Sequence, residues 1–168
     1  MNSILKHILW LLCFSLSACI LDDDETGEGN NLVVGNRIPD FSVVMNDGSR
    51  VQDEDLLGKI SLIVFFHTEC KDCQQELPVL QRFYEDYPLY PLICISRGQS
   101  AEAVAQYWKR ESFTLPYSAQ DNRDVYHLFA SQIIPRIYVV DREGIIRIIF
   151  TDSPLATYDD LVNEVSAL

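Results

Sequence analysis

The apolar run Ile60-Ser61-Leu62-Ile63-Val64-Phe65-Phe66, followed after His67-Thr68-Glu69 by Cys70-Lys71-Asp72-Cys73, constrains the fold more than any other stretch of the chain. A nearly continuous run with so little alternation is the pattern of a central strand covered on both faces. From Cys70 onward, Cys73, Leu77, Leu80 and Tyr84 recur at helical spacing while Gln74, Gln75, Arg82 and Glu85 fall elsewhere, which predicts an amphipathic helix. Pro78 lies inside that pattern and is expected to kink the helix rather than end it, because the periodicity continues beyond it. The pair therefore sits on a strand-to-helix turn, with Cys70 at the helix N-terminus and Cys73 one turn in. Residues three apart on a helix fall within the Cα separation of about 4.4 to 6.8 Å that a disulfide needs. The helix dipole and the free N–H groups at its start favour a thiolate at Cys70.

Other elements fall around this unit. Ile38 to Met45 reads as a strand, and Asn46-Asp47-Gly48-Ser49 supplies an Asp-Gly turn for a hairpin back through Arg50-Val51. Leu89 to Ser96 reads as a second central strand, with Cys94 as a small buried apolar side chain. Ala101, Val104, Ala105 and Trp108 mark a helix that Ser100 caps, and Val125, Leu128 and Phe129 a shorter one. Ile133 to Asp141 and Ile145 to Phe150 flank a polar turn as an antiparallel hairpin, and Ser153-Pro154 is expected to open a last helix with Leu155, Tyr158, Leu161, Val162, Val165 and Leu168 inward. The order is hairpin, βαβ unit, helices, hairpin, helix: an α/β domain with a mixed central sheet flanked by helices.

The chain has 168 residues and a net charge of -12, which sets its surface against a phosphate backbone and excludes nucleic acid as a partner. Its start, Met1 to His7, places positive charge ahead of the apolar run Ile8 to Phe14, and reads as a secretory signal peptide over residues 1–18. Leu16-Ser17-Ala18-Cys19 resembles the bacterial lipobox, which implies cleavage before Cys19 and lipidation of that residue. Residues 19–33 read as a lipidated cysteine and a flexible acidic linker, and residues 34–168 as one domain. The acidic run Asp22-Asp23-Asp24-Glu25 resembles export signals that send lipoproteins to the cell surface, or is a solvated spacer. Either way the expectation is a lipid-anchored protein of the cell envelope, on the periplasmic face or the cell surface. Cys13 leaves with the leader and Cys19 is acylated, so Cys70, Cys73 and Cys94 remain in an oxidising compartment.

The stretch from Val34 to Leu168 resembles the thioredoxin fold in its TlpA/ResA-like branch, the membrane-attached thiol-disulfide oxidoreductases of the bacterial envelope. The matching pieces are Ile38-Pro39-Asp40-Phe41, Asp47-Gly48, Leu57-Gly58-Lys59, Cys70-x-x-Cys73-x-x-Glu76-Leu77-Pro78, and Ile134-Pro135 before Tyr138-Val139-Val140-Asp141. The resemblance implies a redox-active Cys70–Cys73 pair and a thioredoxin-like fold with an N-terminal β-hairpin. It also implies a cis peptide before Pro135 that lies against the pair, a backbone at Ile134 available to a substrate chain, and Glu76 as the active-site acid. From its helical setting alone, Glu76 reads as a solvated carboxylate. Partners would be protein disulfides or dithiols and an unidentified electron donor; no cofactor and no metal ligand set is expected.

The chain departs from the family pattern in His67-Thr68-Glu69 where Trp-Ala-x-Trp is usual, in Lys71-Asp72 between the cysteines, in Ile134, and in Arg136 after the proline. These departures bear on substrate choice and redox potential. Glu69 and Asp72 flank Cys70 and oppose its ionisation, with Lys71 offsetting one of them, which points to a reductant rather than an oxidant. Three other readings compete with this one. A peroxiredoxin-like peroxidase wants Pro-x-x-x-Thr-x-x-Cys, but Ile63 and His67 occupy those places and Thr68 is one position off. A non-enzymatic copper or zinc carrier would use the two thiolates with His67 or His127. A binding module would keep the fold without turnover.

Overall fold

The computed structural model describes residues 32–168. The leader, Cys19 and nearly all of the linker lie outside them. Ordered backbone pairing begins at once, with the Leu32 amide donating to the Phe129 carbonyl and the Gly35 amide to that of Ile146.

A two-stranded antiparallel hairpin comes first, β1 (Ser42–Val44) and β2 (Arg50–Gln52), with Val43 opposite Val51. Its turn carries Gly48 at φ 85°, a left-handed conformation that favours glycine, and Asp47 ties the turn by accepting from the Ser49 amide and hydroxyl. A five-stranded sheet follows, in the order β5 (Tyr117–Ser118), β4 (Leu92–Ser96), β3 (Ser61–Phe66), β6 (Arg136–Val140), β7 (Ile146–Phe150). β3 is parallel to β4 and antiparallel to β6; β4 and β5 are parallel, β6 and β7 antiparallel. The mixed thioredoxin-like sheet is thus as expected, with every residue of β3, β4 and β6 buried. Helices α1 (Lys71–Asp86), α2 (Ala101–Glu111), α3 (Asp124–Phe129) and α4 (Tyr158–Ser166) complete the fold.

Neighbouring residues of β3 point to opposite faces and anchor two aromatic clusters. Phe65 meets Tyr126, Phe129 and Tyr138 at ring-centroid distances of 5.3, 5.0 and 6.2 Å, whereas Phe66 meets Trp108 of α2 at 4.8 Å. Phe41 joins the N-terminal segment to the first cluster through Phe129. The edges of the sheet are covered: the Ile38 and Ile146 amides bond the Gly144 and Asn36 carbonyls beside β7, and Ser118 of β5 donates to the Val44 carbonyl at 2.7 Å.

Several boundaries differ from expectation. The last helix begins at Tyr158 and not at Ser153-Pro154, because Thr157 and Asp160 form a reciprocal capping box there, and only Leu161 and Val165 are fully buried along it. The strand predicted from Ile133 begins at Arg136, since Ile133 is at φ 71° and breaks extended pairing. On α2 the buried face is Val104, Tyr107 and Trp108, with Ala101 and Ala105 exposed. On α3 Tyr126 is buried while Leu128 faces solvent. The strand Tyr117–Ser118 has no counterpart in the sequence pattern, since two residues carry no periodic signal.

Candidate active site

β3 ends at Phe66 and the chain turns through His67-Thr68-Glu69 into α1, whose N-cap is Cys70. The Cys70 sulfur occupies the place of a capping side chain and accepts from the Cys73 amide at 3.3 Å. Its thiol donates to the Ile134 carbonyl at 3.6 Å, and the Ile134–Pro135 peptide is cis. The helix start and the proline loop, 64 residues apart in sequence, thereby meet at one sulfur, with Cys70 half-buried and Cys73 fully buried. Both are thiols in this structure. Burial pushes the Cys73 thiol well above the usual range, and its hydrogen bond with Cys70 adds to the shift. Cys94 is buried on β4, as expected, and burial raises its thiol also.

Glu76 is on the inner face of α1, three residues past Cys73, and is 1% exposed. One carboxylate oxygen accepts from the Ala156 amide at 2.7 Å, while the other is buried without a partner. Burial raises its pKa to about 7, the Ala156 hydrogen bond opposing the shift. The solvated setting that the helix pattern gives Glu76 is therefore not what is found; Cys73, Glu76, Leu77, Leu80 and Phe83 share one buried stripe, which the spacing 73, 76, 77, 80, 83 does carry. Ala156 also lines a cleft of about 240 Å³, together with Phe150, Pro154 and Leu155.

Further residues hold the cysteine loop. The Gln99 side chain accepts from the Thr68 amide at 2.8 Å and donates to the Thr68 hydroxyl at 2.7 Å, and Gln74 donates to the Thr68 carbonyl at 2.7 Å. Thr68 and Gln99 are both buried. Behind the proline loop, the Tyr126 hydroxyl donates to the Ile133 carbonyl at 2.9 Å, the Tyr138 hydroxyl to that of Phe129 at 3.0 Å, and Arg136 to that of Gln132 at 3.3 Å. The Gln99–Thr68 pairing has no local signal, because only the fold brings together segments 31 residues apart.

His67 accepts from the Glu69 amide, and burial, the largest influence on it, lowers its imidazole pKa. His127 is exposed on α3. Among the described residues no group of three or more His, Cys, Asp and Glu side chains is gathered to hold a metal ion.

A dithiol at the N-cap of the helix that follows a central strand, facing a cis-proline loop in a mixed sheet, defines the thioredoxin-like class of thiol-disulfide oxidoreductase. The model of the AhpC/TSA family matches residues 34–149, and the chain belongs to that family. A thiol-disulfide oxidoreductase ResA of Bacillus cereus is 24% identical over 143 residues, covering 82% of this chain and 80% of that protein. Among solved structures, the thioredoxin domain of a thiol-disulfide oxidoreductase from Bacteroides vulgatus superposes with a TM-score of 0.70 at 23% identity, over 82% of this chain and 98% of that one. A thio-disulfide isomerase from Thermus thermophilus gives 0.67 at 27% identity, over 81% and 96%.

Proposed function

We propose that this protein reduces disulfides of other proteins in the bacterial cell envelope, with Cys70 as nucleophile, Cys73 as resolving thiol and Glu76 as the group that takes the Cys73 proton. The observation that carries the reading is the buried Cys73–Glu76 stripe set one helical turn behind the half-exposed Cys70, whose sulfur touches both Cys73 and Ile134.

Cys70 gives up its thiol proton to solvent and attacks one sulfur of the substrate disulfide; a Cys70–substrate S–S bond forms, and the other substrate sulfur leaves as a thiolate that takes a proton from solvent. Glu76 then accepts the proton of Cys73, which attacks Cys70, forming the Cys70–Cys73 disulfide and releasing the second substrate thiolate. Two electrons pass from the protein to the substrate. An electron donor, another dithiol protein, restores the pair. The Ile134 backbone pairs with the substrate chain as an added strand edge, and Pro135 holds that chain against Cys70.

Residues 1–18 are the leader in this reading, Cys19 carries the lipid, residues 19–33 are the tether and residues 34–168 the catalytic domain. No helix among the described residues is long and apolar enough to cross a membrane. The Cys70→Ser variant is expected to lose disulfide exchange with an unchanged fold, and Cys73→Ser to accumulate a mixed disulfide with substrate, read by mass spectrometry. Exchange at the wild-type rate in Cys70→Ser would end this assignment. Replacement of Cys19 by Ala is expected to release the protein from the membrane fraction.

A further inference from the structure

The chain has 25 acidic and 13 basic side chains, yet two arginines, Arg97 and Arg136, stand against the aromatic rings behind the loop that ends in Ile134-Pro135. The Arg97 guanidinium lies over the Tyr126 ring, 5.3 Å from its centroid. Arg136 sits 6.0 Å from the Tyr138 ring centroid and donates to the Tyr138 hydroxyl at 3.4 Å and to the Gln132 carbonyl at 3.3 Å. Arg123 is exposed at the start of α3. The Arg123 side-chain stem packs beside Gly98, the residue after Arg97, and all three guanidiniums oppose the rise that burial, the largest influence, gives the Tyr126 hydroxyl pKa.

Among the described residues none of the three makes an ion pair, although Glu69 acts at His67 together with Arg97 and Arg123. Among the described residues the ion pairs are Arg82–Asp86, Arg110–Glu111 and Arg147–Asp141. Arg136 is only 5% exposed, and the Nε atoms of both Arg136 and Arg97 are buried without a hydrogen-bond partner. A buried guanidinium without an anion is costly, and the aromatic faces repay only part of that cost. The loop in front of the cluster is held in one shape, with Ile133 at φ 71° and its side chain 43% exposed, and it leads directly to the edge where a substrate chain would pair.

We infer that Arg97, Arg123 and Arg136 form a carboxylate-binding subsite that takes an aspartate or glutamate lying beside the half-cystine of the polypeptide being reduced. The inference rests on the disulfide-reductase reading and adds a substrate class to it. Guanidiniums suit the role because their planar fork matches a carboxylate. The overall negative charge does not cancel the attraction, because at physiological salt a charge is screened over about 8 Å and the local arginines dominate.

The test uses three cystine peptides alike except for Glu, Gln or Lys next to each half-cystine. They are reacted with the reduced full chain carrying Cys13→Ser and Cys19→Ser, and single-turnover rate constants are measured. The Glu peptide is expected to react about tenfold faster than the Gln peptide, and the Lys peptide slowest. The Glu-to-Gln ratio is expected to fall towards one in Arg97→Gln/Arg123→Gln, and to be partly kept in Arg97→Lys/Arg123→Lys, which retains the charges without the fork. Equal rates for the three peptides, or a faster Lys peptide, overturn the subsite and leave the reductase reading intact. If no peptide exchanges, a Ser-for-Cys version of the Glu peptide is titrated while the arginine Nε–H resonances are followed. Shifts at Arg97 and Arg136 then support the subsite although the reductase reading has failed, and unmoved resonances overturn it.

Discussion

At the scale of single residues, Glu76 makes the sharpest demand on the proposed chemistry. Its carboxyl titrates at about 7 in the folded protein against 4.5 for an ordinary glutamate, so between those values the folded state holds a proton that the unfolded chain has released. The stabilisation that goes with the protonated form is complete below about pH 4.5 and is lost as pH rises through 7. Glu76→Gln keeps a neutral group in place. It is expected to match the wild type in stability at pH 4 and to exceed it by up to about 3 kcal/mol above pH 7, measured by urea unfolding. Parallel stability curves for the two proteins would contradict the buried, protonated carboxyl. The same variant is expected to lose the rise in Cys73 resolution rate near pH 7. A second outcome concerns the three thiols of the domain: brief alkylation of the reduced native protein should modify Cys70 and spare Cys73 and Cys94, which are fully buried. Glu76 was singled out in sequence by family resemblance, and its place on the buried stripe agrees with the spacing of that stripe, but its hydrogen bond with Ala156, eighty residues away, had no local signal.

At the scale of elements, β3 and α1 were readable because an unbroken apolar strand and a helical stripe each carry their own period, and the cysteine pair falls at their junction. The Asp47-Gly48 hairpin was readable for its turn chemistry. The start of α4 was misplaced because Ser153-Pro154 resembles a helix opening, whereas the working cap is the Thr157–Asp160 pair just beyond it. Thr157→Ala is expected to cost about 1 kcal/mol of stability in thermal unfolding. The turn that carries Cys70 depends on Gln99, 31 residues from Thr68 in sequence and without any local signature. Gln99→Ala leaves a buried amide and hydroxyl of Thr68 unpartnered, and is expected to cost about 1 to 3 kcal/mol and to slow the reaction of Cys70 with a disulfide probe. Wild-type rate and stability together would show that the clamp does not hold the loop.

At the scale of the whole molecule, the antiparallel β3–β6 pairing, with Phe65 opposite Arg136, puts the cysteine helix and the proline loop side by side, and the segment before β1 closes the edge next to β7. The net charge of -12 gave no sign that Arg97 and Arg136 would both stand against the aromatic rings behind the proline loop. Arg136 did stand out in sequence as an unusual residue after the proline, and it is buried and donates to the Gln132 carbonyl ahead of that proline. The central claim is that Cys70 and Cys73 are a reversible reducing couple. Its most direct test is the equilibrium reduction potential of the pair in residues 32–168, by thiol trapping in defined redox buffers. A single two-electron couple near the thioredoxin value of about -270 mV is predicted. A couple near about -120 mV would make the protein an oxidant, and the absence of any reversible couple would contradict thiol-disulfide chemistry at this site.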